Sequence, residues 1–296
     1  MRRRMTKKER HDNILGYIFI APQLVGFVLF VAFPLVFSLV LCFSEWNMID
    51  MPEFVGWANF SAVFNDRIFW KSVGNTFIYI AIVVPLTLLS SLTLAILTNR
   101  KLPLMKFYRA AFFLPMVTST VAIAMVWMFI YQADGGILNS VLSVFGIKNP
   151  PNWLQDTGWA RFAVSVVSIW LKVGYYYIIF DAGLKNIPTE LYEAADIDGA
   201  SVWRKIIKIT VPMLSSVMFF VTVMLFIDIF NMFNEVFIMT AGGPDYSTYT
   251  LSMYIYFYAF KDFNMGRAAV ASWVLFALVG IVTLIQFKLK KKVVFE

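Results

Sequence analysis

One cysteine and one histidine occur in 296 residues. Cys42 has no partner for an internal disulfide, and the pair falls short of a multi-cysteine metal site. Cys42 suits an apolar core or lipid-facing position. His11 lies in a basic N-terminal stretch, where an imidazole is simply solvated. Charge is scarce too: 15% of residues are charged, against about 25% in a soluble domain. There is no GxxxxGK[ST] run, so no phosphate loop holds ATP here. No His/Cys cluster and no nucleophile–base spacing argues for an enzyme, and no metal site is expected.

What is abundant is apolar: 60% hydrophobic and 18% aromatic residues. A bilayer span needs about 20 predominantly apolar residues. Such runs fall within 14–43, 72–99, 110–133, 161–180, 209–233 and 268–287. This is an all-α polytopic membrane protein of about six transmembrane helices. One domain covers 1–296: a basic tail over 1–13, a six-helix core over 14–287 and a second tail over 288–296. Pro22 and Pro34 are expected to bend or bound the first span. The uncharged run 13–44 is too long for a signal h-region and precedes no small-residue cleavage site, so it reads as a retained span. Residues 45–71, with Trp46, Trp57 and Trp70 as candidate interface anchors, and 134–158, with a short helix over 137–145, read as outside loops. Near 242–244 two glycines and a proline make a turn, and Ser247 or Thr248 is placed to cap the next segment. That segment, LSMYIYFYAF, is too short to span and suits an interfacial or re-entrant helix.

The net charge of +7 could suggest nucleic acid, but the basic residues gather in MRRRMTKKER, RKLPLMKFYR and KLKKK. That is the distribution of cytoplasmic flanks. With both termini inside, eighteen Lys and Arg lie on the cytoplasmic side and six on the other. No nucleic-acid partner is expected; the bilayer is the contact.

Between the fourth and fifth spans lies EAADIDGASVWRKIIKITVP, charged and amphipathic. Glu190 to Ile197 reads as a short helix, with Thr189 as its N-cap and acidic residues where the helix dipole favours them. Gly199 breaks it and Ser201 caps a second helix. There Trp203, Ile206 and Ile207 share one face, with Arg204, Lys205 and Lys208 toward another.

This stretch resembles the EAA-x3-G-x9-I-x-L-P loop shared by permease subunits of binding-protein-dependent ABC importers. Glu193, Ala194, Ala195, Gly199, Ile209 and Pro212 fit the spacing, with Val211 where leucine is usual. The resemblance implies a cytoplasmic coupling helix, built with Asp198 among its residues, that seats in an ATPase subunit. FYRAAFFLPMVTST, NEVFIMTAGGPDYSTYT and NMGRAAVAS resemble the carbohydrate-uptake group, and IAPQLVGFVLFVAFPLV with VGWANF its first permease, the maltose and glycerol-3-phosphate type. From the resemblance follow the expected partners: a two-copy ATPase that binds ATP-Mg, a second homologous permease, an extracytoplasmic solute-binding protein and a carbohydrate cargo. The expected location is a bacterial or archaeal cytoplasmic membrane. No cofactor is expected on this chain itself.

Charges inside spans are costly and face a cavity or a partner. Arg161, Ser165, Ser168, Lys172 and Tyr175 or Tyr176 recur at intervals of three or four on the fourth span. Asp228, Asn231 and Glu235 follow i, i+3, i+7 spacing on the fifth, which puts them on one helical face. Both faces are expected to line a path for a hydroxyl-rich solute. The bland alternatives are a structural Lys172–Asp228 ion pair, or Arg161 and Glu235 at the wet outer interface. An ion-coupled secondary carrier with Asp228 as its coupling group is the rival function.

Overall fold

The computed structural model describes residues 7–99 and 105–293. Residues 1–6, the start of the expected basic loop (Arg100, Lys101) and the last three residues lie outside them.

The first span begins in the stretch expected as a tail. Helix α1 (Lys7–Phe27) passes without interruption through Pro22 into a π turn (Val28–Ala32) and then α2 (Phe33–Leu41). The turn has a local cause: Pro34 supplies no N–H and its ring excludes the carbonyl four residues back. The Phe33 N–H therefore reaches one residue further, to the Val28 carbonyl. Cys42 follows, fully buried. Strand β1 (Ser44–Glu45) pairs antiparallel with β2 (Glu53–Phe54), Ser44 opposite Phe54. Helix α3 (Ala58–Phe64) brings in Asn59, whose Nδ2 donates to the carbonyls of Cys42 (3.1 Å) and Ser44 (2.9 Å). This amide staples the end of the first span to the outer loop.

Helix α4 (Arg67–Thr98) is a full span, N-capped by Asp66, which accepts the Ile68 N–H at 2.8 Å. The third expected span is not one rod. Helix α5 (Met105–Val117) and α6 (Thr120–Ile130) meet at 98°. Helix α7 (Ile137–Val144) is the expected short outer helix. Helix α8 (Thr157–Lys185) is again a full span, capped by Asp156 through the N–H groups of Gly158 and Trp159.

Helices α9 (Thr189–Ile197) and α10 (Val202–Lys205) form the charged knob; a second π turn (Ile206–Thr210) and α11 (Val211–Met213) lead from it. The α10–α11 run meets α12 (Ser215–Phe230) at 67°, so the expected fifth span is also bent. The chain breaks at Asn231–Phe233 before α13 (Asn234–Thr240). Helix α14 (Leu251–Phe260) is short, as its ten residues dictate, and its N-cap is Thr250 rather than Ser247 or Thr248. Helix α15 (Met265–Val293) is the last span. Among the described residues, four helices are long and apolar enough to cross a membrane, or up to six if each bent pair is one span.

Helices α4 and α8 pack most extensively. Both are rich in buried small and β-branched residues, Ala160, Ala163, Val164 and Val167 on α8 and Val83, Val84 and Ala95 on α4. Small residues let backbones approach where lipid gives no hydrophobic drive between helices. Helix α5 crosses α8 at Gly174, where a Cβ would stand 1.8 Å from the Phe112 carbonyl oxygen. Helices α4 and α8 end at the same side, where Asn99 and Leu184 lie beside Tyr192 and Val202 of the knob. The opposite side gathers β1, the 241–250 loop and the start of α15, tied by Met265 N–H to the Trp46 carbonyl at 3.0 Å.

Candidate functional site

Two sites emerge, a knob at one end and a cavity at the breaks. In the knob, Pro188 rather than Thr189 stands at the N-cap of α9. A proline there gives no side-chain cap, so the acidic first turn at Glu190 complements the helix terminus instead. Its C-terminus is closed by the Gly199 backbone. Gly199 has φ +68°, the Ala200 N–H reaches the Ala195 carbonyl (2.9 Å) and the Gly199 N–H the Asp196 carbonyl (3.1 Å). That is a Schellman closure, which needs a left-handed residue after the helix. Ser201 then caps α10 by accepting the Arg204 N–H.

Two contacts fold the knob on itself. Lys205 pairs with Asp196 at 2.6 Å, and the Tyr192 and Thr210 hydroxyls meet at 2.9 Å. Lys205 is thus turned inward, while Ile197 (88% exposed), Trp203 (73%) and Ile207 (63%) project outward. Ile206 is only half exposed, so the apolar face is formed by Trp203 and Ile207 with Ile197. Glu193 and Ala195, two residues apart on α9, both precede this face in sequence, with Glu193 exposed. Ile209 and Pro212 lie in the π turn and α11. The Val211 N–H reaches back to the Ile206 carbonyl, the same device that precedes Pro34.

The cavity has a volume of about 480 Å³. Lys172, Tyr175, Tyr176, Asp228, Asn231 and Glu235 all line it. Its remaining walls are Pro115, Met116 and Thr120 at the α5–α6 bend, Leu171 and Met224, and Met232 to Asn234 at the α12–α13 break. Irregular backbone at membrane depth is tolerated where it lines a cavity. Two carbonyls freed at the break are re-satisfied, Met232 by Thr250 (2.9 Å) and Phe230 by Ser252 (3.1 Å), while the Asn231 side-chain amide adds a bond (2.8 Å) to the Ile227 carbonyl, which still holds the Asn231 backbone N–H.

The ion pairing differs from the expected Lys172–Asp228 pair. Lys172 Nζ meets Glu235 Oε1 at 3.2 Å, and Ser168 donates to the same oxygen at 3.4 Å. Asp228 Oδ2 accepts the Tyr176 hydroxyl. Glu235 is buried, not at a wet interface. The i, i+3, i+7 face also fails: α12 ends before Asn231 and Glu235 belongs to α13. The three polar groups converge because the helix breaks, not because it continues. Arg161 and Ser165, further along the α8 stripe, do not line the cavity.

Sequence reasoning missed the walls from α5 and α6. Pro115 was visible as a proline near the start of a span, but Met116 and Thr120 carry no charge to mark them. Outside the cavity, the 241–250 loop is moored to α4. Lys71 pairs with Asp245 at 2.8 Å, and Asn75 Nδ2 donates to the Tyr246 and Tyr249 carbonyls. The Lys71 ammonium holds the exposed Asp245 carboxyl below its usual range. Asp66 accepts the hydroxyls of both Tyr254 (2.9 Å) and Tyr258 (3.0 Å); burial, and then this bond, push the Tyr258 hydroxyl above its ordinary range.

Comparison with known proteins bears on both sites. The family described as "binding-protein-dependent transport system inner membrane component" matches residues 91–294. The probable ABC transporter permease protein YesP of Bacillus subtilis (strain 168) is 37% identical over 94% of this chain and 91% of its own length. The lactose transport system permease protein LacF of Rhizobium radiobacter is 34% identical over 94% and 95%. The sn-glycerol-3-phosphate transport system permease protein UgpA of Pectobacterium atrosepticum is 34% identical over 93% of both chains. In three dimensions the chain matches one from a bacterial ABC transporter that imports the acidic polysaccharide alginate, with TM-score 0.84 at 21% identity, over 97% of this chain and 98% of that one. At that identity the likeness is one of fold.

Proposed function

This chain belongs to the family of binding-protein-dependent transport system inner membrane components, and from that premise we propose how its two sites share the work of import. It is a multi-pass ABC transporter permease of the cytoplasmic membrane and binds no nucleotide by a phosphate loop. The α9–α10 knob is the coupling element: it faces the cytoplasm and seats Glu193, Ala194, Ala195, Asp198 and Gly199 against a separate ATPase, present in two copies and carrying ATP-Mg. A second, homologous permease closes the other side of the path. A solute-binding protein delivers a carbohydrate to the outer face, where the moored 241–250 loop and the 44–57 hairpin lie.

The observation that carries the reading is the knob's exposed apolar cluster, Ile197, Trp203 and Ile207, on a rigid Schellman-closed turn. An apolar patch in water marks a protein contact. An ion-coupled carrier has no use for it. In the import cycle, closure of the ATPase pair moves the knob. Ile209 and Pro212 pass that displacement through the π turn to α12, whose far end carries Asp228 and Asn231. The cavity walls hydrogen-bond solute hydroxyls, and the Tyr175 ring covers an apolar sugar face.

The test is purification of the chain from its own membrane in mild detergent. An ATPase and a second permease are expected to come with it, and to be lost with Glu193→Lys or Gly199→Pro. Independently, Asp228→Ala with Asn231→Ala should abolish uptake while the complex still assembles. A chain that purifies alone and still transports would overturn the coupling role; normal uptake by the double variant would overturn the path.

A further inference from the structure

We infer that the wall this chain contributes to the path selects against acid sugars. It takes a carbohydrate that is uncharged or bears an amino group, and disfavours phosphorylated, sulfonated or uronate ones. The inference rests on the transport reading above and narrows its cargo; the cargo named for the relatives is both neutral and acidic, so the distinction has to come from this chain's own residues.

The charged groups lining the cavity are Lys172, Asp228 and Glu235, one cation against two carboxylates. Lys172 is spent on Glu235 at 3.2 Å. Asp228 is left over. Among the described residues its side-chain partner is the neutral Tyr176 hydroxyl, and no cation lies within ion-pair distance of it. Arg161 acts, like Glu235, on the Tyr79 hydroxyl of α4, but it is not in the lining and forms no ion pair with Asp228 or Glu235 among the described residues. The uncompensated charge of the wall is therefore negative, in a cleft with apolar flanks where fields are poorly screened.

At Asp228 the hydrogen-bond chemistry gives the same answer. A carboxylate only accepts, and an ionised phosphate, sulfonate or carboxylate is likewise only an acceptor, whereas a hydroxyl rotates to donate and an ammonium only donates. The Asn231 amide spends one N–H on the Ile227 carbonyl and keeps the other, with its oxygen, for a hydroxyl, which can both accept and donate. At Asp228 acid sugars therefore meet both like charge and an unmatched acceptor.

The field is read directly with charged thiol reagents on the intact importer in membranes. In a Cys42→Ala background, a single cysteine is placed at Thr120 in the cavity wall or, for reference, at Val144 on exposed α7. Each is reacted with a cationic trimethylammonioethyl and an anionic sulfonatoethyl methanethiosulfonate. Normalised to Val144→Cys, the Thr120→Cys site should prefer the cation by at least about tenfold, and Asp228→Asn should bring the ratio toward one. An equal or reversed ratio overturns the inference, and so does a Thr120→Cys site that neither reagent reaches. In parallel, cells with and without the intact importer are grown on a mixed hydrolysate, and importer-dependent depletion is followed by mass spectrometry. A depleted neutral or amino sugar supports the inference. A depleted acid sugar sinks it but leaves transport standing. No importer-dependent depletion counts against the transport reading itself, and the labelling ratio then decides the field alone.

Discussion

At the scale of single residues, the family-like motifs acquire physical causes. Gly174 is where two helices touch backbone to backbone, so even a methyl must push α5 off α8. Gly174→Ala should lower the thermal stability of the purified chain, by the upper end of the about 1–3 kcal/mol typical of overpacking, seen as an earlier unfolding midpoint. Gly266 is pressed as closely: a Cβ would stand 2.3 Å from Asn59 Nδ2 and 2.4 Å from the Ser44 carbonyl. That explains why ANF in the outer loop and NMG before the last span occur together, since each makes room for the other. The Lys71–Asp245 mooring is titratable. Because the hydrogen bond and charge of Lys71 hold Asp245 below the ordinary carboxylate range in the folded chain, the contact is intact above that range and is lost as pH falls through the depressed one. A fluorophore on the 241–250 loop should gain mobility only under that strong acid, and Lys71→Gln should give the same mobility at neutral pH.

Elements show where periodicity succeeds and where it stops. Helices α4, α8 and α15 were legible because long, predominantly apolar runs in lipid have no other solution. The knob was legible because its break needs a glycine and glycine is there. Gly199→Ala should destabilise α9 by about 1–2 kcal/mol, the cost of a side chain in left-handed backbone, measurable as faster amide exchange at Ala200. The breaks at Thr118–Ser119 and Asn231–Phe233 were not legible. No glycine or proline stands within either break, Pro115 being passed inside α5 three residues earlier, and the polar Thr118, Ser119 and Asn231 do not by themselves stop a helix. The breaks are set by tertiary packing, α13 against α6 and α8, and by Thr250 and Ser252 reaching the freed carbonyls. Spacing brought the right polar residues together on the fifth span, yet for a reason other than the one that joins them. Thr250→Val should expose this dependence, since it leaves the Met232 carbonyl unmet; uptake should fall while the α4–α8 pair stays folded by circular dichroism.

For the whole molecule, two ends and a belt organise the argument. The knob and the ends of α4 and α8 share one side; α7, β1 and the 241–250 loop share the other. With an impermeant thiol reagent on sealed, right-side-out vesicles and a Cys42→Ala background, Val144→Cys should label and Ile197→Cys should label only after the vesicles are opened. The reverse pattern would invert the orientation that charge bias implies. The first span stands apart from the rest: only 6% of its most apolar window is buried within the chain. Its energy comes from surroundings outside this chain, so substitutions along its flanks should leave the purified chain's melting midpoint nearly unchanged.

The two π turns carry one more implication. Each inserts an extra residue into a helical turn, which rotates everything downstream by about 100° relative to an unbroken helix. They are the geometric trace of a one-residue insertion that a proline holds open. A single deletion within Val28–Ala32 or Ile206–Thr210 would leave the proline in place yet swing the preceding helix face by that angle. In the first span it would merely turn another apolar side outward. Before α12 it would rotate Trp203 and Ile207 away from where they now point. The same one-codon change is therefore nearly silent in one place and disabling in the other, an asymmetry that a deletion scan through both segments would expose.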